Sequence, residues 1–128
     1  MSSNPSFDDS GLLRRLDAMS DAELDTLDFG VIGFDAGGVV RRYNTFESRA
    51  AGLSSPRVVG HALFTVVAPC MNNYLVAQRF EDTAAEGGTL DDTIDYVLTL
   101  RMRPVKVRLR MLAGPGVTGR FVAIDRRT

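Results

Sequence analysis

The sequence predicts an α+β domain: a central five-stranded antiparallel sheet, flanked by helices and preceded by a short helical N-terminal region. Three observations carry this. Leu12, Leu13, Leu16 and Met19 recur at helical spacing near the N-terminus. Two β-rich runs, Phe29 to Phe34 and Val39 to Tyr43, flank Asp35-Ala36-Gly37-Gly38, a turn with two glycines able to take φ > 0. Towards the C-terminus Val105, Val107, Leu109 and Met111 alternate with Lys106, Arg108 and Arg110, the pattern of a half-buried antiparallel strand.

The other elements follow in order. Ser20 with Glu23 three residues on reads as a capping box that opens a second short helix towards Leu24 and Leu27. Asn44 with Glu47 gives another helix start; this helix runs to about Ala51 and stops at Gly52. Ser55-Pro56 has the form of an N-cap followed by proline at the first helical position, with a stub helix to Val59. Asn73 is placed to cap a longer helix carrying Leu75, Val76, Phe80, Thr83 and Ala84, ended by Gly87-Gly88. Thr89 to Met102 reads as a strand, Pro104 interrupts, and Val117 to Ile124 forms the last strand after Gly114-Pro115-Gly116. This order, strand–strand–helices–long helix–three strands, is that of a PAS domain. The expected division is an N-terminal helical cap over residues 1–27 and a PAS core over 28–128, within one domain.

With 128 residues, the chain falls within the ~100–200 usual for one domain. A net charge of −1 lacks the basic surplus that nucleic acid or an anionic membrane requires. No apolar run approaches the ~20 residues of a spanning helix, and the polar start MSSNPSFDDSG is not that of a signal peptide. One cysteine and one histidine exclude an internal disulfide, a thiolate zinc cluster and a multi-histidine metal centre. A reduced, cytoplasmic setting is expected, for a monomer or weak dimer. The stripe Arg101, Arg103, Lys106, Arg108 and Arg110 is expected to be a solvated sheet face, with docking to an acidic partner as the alternative.

Two constellations have chemistry to offer. Cys70 has two readings: a small buried hydrophobe, or, after Pro69 and near a helix start, a thiol presented as attachment point or nucleophile. Glu47 is either the reciprocal partner of the Asn44 cap, with Tyr43 a strand-end aromatic, or both side chains turn inward. In the second case a phenol and a protonated carboxyl converge to hold a buried anion with no arginine or lysine beside it. A cysteine enzyme would need a base beside the thiol, for which His61 is the sole candidate, and no third group is evident.

The strings Leu24-Asp25-Thr26-Leu27-Asp28-Phe29-Gly30-Val31-Ile32, Tyr43-Asn44-x-x-Glu47, Gly60 and Val67-Ala68-Pro69-Cys70 resemble the photoactive yellow protein family. Phe80, Gly87, Met102, Pro104, Lys106 and Val107 continue the resemblance over nearly the whole chain, with a short insertion near Gly88. The resemblance implies a bacterial blue-light photoreceptor of PAS fold, not an enzyme. It implies 4-hydroxycinnamic acid (p-coumaric acid) held as a thioester on Cys70, whose backbone N–H would hold the thioester carbonyl. Tyr43 and Glu47 would donate to its phenolate. Ala51, Leu53, Phe64, Ala68, Pro69 and Met102 would complete the chromophore pocket, Met102 assisting thermal return. Trans–cis photoisomerisation, proton transfer from Glu47 and partial unfolding of the N-terminal region would then signal to a downstream protein. The alternative is a chromophore-free PAS module for interaction or small-ligand sensing.

A phenol ionises near ~10 in water, and hydrogen bonds to the charged form lower that value. Burial raises a glutamic acid by up to ~3–5 units, so Glu47 can stay protonated and donate. Once ionised without a counter-charge, it would cost several kcal/mol, comparable with a domain's whole stability of about 5–15. The family often has threonine where Ala51 stands and arginine where Leu53 stands, and Leu98 and Leu100 replace frequent aromatics. An altered absorption maximum or recovery rate is expected.

Overall fold

The computed structural model describes residues 4–99 and 103–126. In chain order these form α1 (Leu12–Ala18), α2 (Asp21–Leu24), β1 (Gly30–Phe34), β2 (Val40–Tyr43), α3 (Thr45–Ala51), α4 (Ser55–Val58), α5 (Ala77–Glu86), β3 (Leu90–Leu98), β4 (Val105–Ala113) and β5 (Arg120–Asp125). A π-helical turn, Leu63–Val67, and a 3-10 turn, Pro69–Met71, lie between α4 and α5. The strands make one five-stranded antiparallel sheet in the order β2-β1-β5-β4-β3, the α+β PAS arrangement.

Local chemistry explains several element ends. Ser20 and Glu23 form the expected capping box at α2. The Asn44 side chain accepts from the Glu47 N–H, and Gly52 ends α3 in the left-handed conformation at φ 72°. Asp35 Oδ1 accepts from the Gly37 and Val39 N–H groups and closes the hairpin.

Burial on both faces organises the sheet. Ile32, Phe34, Leu109, Met111, Val122 and Ile124 face a core shared with Tyr43, Val58, Leu63, Ala68 and Phe80. On the opposite face Val31, Leu112, Phe121 and Ala123 pack beneath Phe7, Leu12, Leu16, Leu24 and Leu27 of the N-terminal segment. These are the alternate residues of β1, β4 and β5, as a two-period strand requires.

The basic stripe is corrected by this arrangement. Arg110 is buried; it donates to both Asp91 carboxylate oxygens at 2.8 and 2.9 Å and to the Phe7 carbonyl at 2.8 Å. Arg108 pairs with Asp125 at 2.6 Å, reaches Asp8, and lies 4.9 Å from the Phe7 ring centre. Both fasten the N-terminal segment to the sheet, Arg110 buried and Arg108 still partly exposed. Arg103 and Lys106 are exposed as expected, and Arg101 lies outside the described residues.

Some boundaries shift. Asn73 does not start α5, which begins at Ala77; its Oδ1 instead accepts from the Leu75 and Val76 N–H groups. Ser54, not Ser55, precedes α4, without a side-chain cap bond. The last strand starts at Arg120, not Val117, after the turn and an irregular stretch. No helix among the described residues is long and apolar enough to cross a membrane.

Candidate functional site

Asn44 sets the position of the carboxyl that follows it. Its Oδ1 accepts from the N–H of Val31 (2.9 Å) and Glu47 (3.1 Å), and its Nδ2 donates to the carbonyls of Leu24 and Phe29, both at 3.0 Å. Three of these bonds tie the cap of α3 to β1, to Phe29 just before it and to the end of α2, and the fourth holds the first turn of α3 itself. With α3 so fixed, Glu47 points inward instead of reaching back to the cap. Its side chain is 1% exposed and lies against Gly30, where an added Cβ would overlap Oε1. The glycine at the start of β1 leaves the room the carboxylate occupies.

Glu47 has a basic neighbour, which corrects the expectation of an anion site without one. Arg126, just beyond β5, donates from Nη1 to Oε1 at 2.6 Å and from Nη2 to Oε2 at 2.9 Å. This is the forked geometry in which guanidinium and carboxylate match best. Burial pushes the Glu47 carboxyl above its ordinary value, and Arg126 partly offsets that. Tyr43, buried beside it on β2, is pushed up by its own burial and by the Glu47 charge, with Arg126 opposing. The Tyr43 hydroxyl makes no hydrogen bond within the described residues, so its proton is available to a guest.

Cys70 sits in the Pro69–Met71 turn as a free, half-buried thiol. It lines a cavity of about 520 Å³ together with Leu53, Val58, Val67, Pro69 and Arg57. Its carbonyl accepts from the Tyr96 hydroxyl at 2.5 Å and from Asn73 Nδ2 at 3.2 Å, and Asn73 also donates to the Tyr96 oxygen at 2.6 Å. The turn carrying the thiol is thereby anchored to β3. Phe64 packs edge-on to Phe34 at 5.4 Å and lines a separate cavity with Asn73 and Tyr74.

Most of the expected site residues adjoin one core, but they line several separate cavities. Tyr43 and Ala68 belong to a single packed cluster, with Leu53, Phe64 and Cys70 against it. Ala51 is buried on α3 but lines a different cavity, with Arg126, Leu98 and Arg103. Pro69 is exposed, and Met102 and Leu100 lie outside the described residues. Leu53 is half-buried at the Cys70 cavity, where Arg57 keeps a cation at the rim. His61 is exposed; its backbone, bonded to Val40 and Val58, shapes the chain there. No group of three or more potential metal ligands occurs within the described residues. Reading by sequence missed Arg126, Tyr96 and Gly30. Gly30 stood within the string that carries the family resemblance, but without a role of its own.

Fold and site define a PAS-type sensory domain with one thiol and one buried acid–phenol pair. No family model matches the chain. Photoactive yellow protein of Halochromatium salexigens is 38% identical over 93 residues, covering 73% of this chain and 74% of the relative. That of Rhodothalassium salexigens is 36% identical over the same length and coverage. The photoactive yellow protein domain of a sensor histidine kinase from Rhodospirillum centenum superposes with a TM-score of 0.79 at 38% identity, covering 91% of this chain and 99% of that one. The chain belongs to the photoactive yellow protein family. A quorum-sensing receptor PAS domain from Cronobacter turicensis, at TM-score 0.61 and 14% identity over 80% of this chain and 96% of its own, shares the fold alone.

Proposed function

We propose that this protein is a blue-light photoreceptor, not an enzyme, that carries 4-hydroxycinnamic acid as a thioester on Cys70 and signals to a downstream protein in the cytoplasm. The observation that carries this reading is that Cys70 packs against the same apolar core that contains Tyr43, and Tyr43 stands beside the buried Glu47. The donor set suits the group: a half-buried thiol on one cavity, and a phenol and a carboxyl buried together on β2 and α3. The cavity beside Cys70 has room at its mouth for a small aromatic acid.

When bound, the cinnamoyl group supplies a visible-absorbing phenolate and a double bond that light isomerises. Tyr43 and Glu47 donate hydrogen bonds to a buried phenolate and so keep it ionised at neutral pH. Leu53 and Pro69 line the cavity beside Cys70, Ala68 belongs to the adjoining core, and Phe64 packs against that core. Tyr96 and Asn73 fix the Cys70 carbonyl, holding the attachment point still while the far end moves. Glu47 then releases its proton from the carboxyl to the phenolate oxygen. The N-terminal segment, residues 1–27, loosens from the 28–128 core as the output.

The test is reaction with the activated thioester precursor of 4-hydroxycinnamic acid. One adduct by intact mass and a visible band are expected for wild type, and neither for Cys70→Ala. A band in the alanine variant, or a wild type with no adduct, would overturn the assignment.

A further inference from the structure

We propose that Arg126 is the counter-ion of this site, a fixed positive charge that receives the Glu47 carboxylate when the proton leaves it. The inference rests on the photoreceptor reading and adds to it a residue that directs where the charge settles.

Three observations carry it. The guanidinium contacts both carboxylate oxygens, at 2.6 and 2.9 Å, so a full carboxylate has a partner already in place. The pair is enclosed: the Glu47 side chain is 1% exposed and that of Arg126 17%. The same guanidinium also acts on Tyr43 and is itself influenced by it, so one cation serves both donors. The groups facing Glu47 are Gly30 from β1, Tyr43 from β2 and Arg126 beyond β5, and Arg126 is the sole cation that acts on it within the described residues.

The site therefore holds one cation and two places for one negative charge. With a phenolate present, the charge lies on the guest oxygen and Glu47 keeps its proton, because two adjacent anions repel. When the proton passes from the Glu47 carboxyl to that oxygen, the charge moves to Glu47 and meets the fork of Arg126. Arg126 keeps its own proton throughout. A carboxylate so paired remains folded in, where an unpaired one would draw in water. Arg126 should thus stabilise the light-generated state from within and slow the return of the proton.

Two readouts test this on wild type, Arg126→Met and Arg126→Lys. The first uses chromophore-free protein and follows the Glu47 carboxyl stretch by infrared titration, with Glu47→Gln to assign the band. Loss of an opposite charge at this distance is expected to raise proton affinity by about 10-fold or more, with Lys restoring part of it. The second uses protein loaded with the cinnamoyl group: the bleached state of Arg126→Met is expected to decay at least about 10-fold faster. An unchanged titration in a natively folded Arg126→Met, or a wild type that bleaches while Arg126→Met decays at the same rate or slower, would overturn the proposal. A loaded wild type with no visible band would instead overturn the photoreceptor reading, while the infrared titration still decides whether Arg126 compensates Glu47.

Discussion

Glu47 combines a position that local sequence dictates with a partner that it does not. The Asn44 cap and the four bonds around it aim the carboxyl inward, and Gly30 leaves it space. Burial then raises its ionisation above the ordinary 4.5, against the pull of Arg126. The consequence for stability has a definite sign. Between 4.5 and the raised folded value, the unfolded chain has lost a proton that the folded chain still holds. Folding is therefore favoured most below 4.5 and less as pH rises through that window. Urea midpoints of wild type and Glu47→Gln should diverge as pH increases from 4.5, with wild type losing ground. Parallel curves would mean that the carboxyl titrates normally. The turn-closing Asp35 works the other way: its hydrogen bonds from Val39 and Arg41 lower its ionisation, so its contribution is lost on acidification.

At the scale of elements, the N-terminal segment is held by arginines as much as by apolar packing. Arg110 joins Asp91 on β3 to the carbonyl of Phe7, and Arg42 on β2 donates to the carbonyls of Leu16 and Met19 and pairs with Asp21. Replacing Arg110 by Met strands the Phe7 carbonyl, an unsatisfied group that costs about 1–3 kcal/mol. Amide exchange over residues 12–27 should accelerate in Arg110→Met, while exchange in β1 and β5 stays slow. Uniform acceleration across the sheet would show that the segment does not open separately. The sequence disclosed α2, α3 and the first hairpin because capping boxes and glycine turns are written within a few residues. It did not disclose the role of Arg110. Alternation marks one buried face, whereas the polar face here is covered by residues 103 positions away in sequence. The Arg126–Glu47 pair was hidden for the same reason, spanning 79 residues with nothing to distinguish one arginine among fourteen. Asn73 has cap chemistry, its Oδ1 accepting from the Leu75 and Val76 N–H groups, but those bonds close a turn and the helix begins only at Ala77.

Across the whole molecule, the sheet separates two cores. One contains Tyr43 and packs against Cys70; the other lies under Phe7, Leu12, Leu16 and Leu24. Asn44 touches both sides, bonded to Leu24 in the N-terminal segment and to Glu47 beside the site. A change of charge at Glu47 therefore has a short physical route to the segment proposed to loosen. The internal ion pair with Arg126 restrains that route, so this chain should release less of its N-terminus than one whose carboxylate is left unpaired. The measurement that bears most directly on the account is the absorbance of protein carrying the cinnamoyl thioester, recorded in the dark, during blue illumination and through recovery. The account requires a visible band that bleaches in light and returns in darkness. A band that is present but unchanged by light would contradict it.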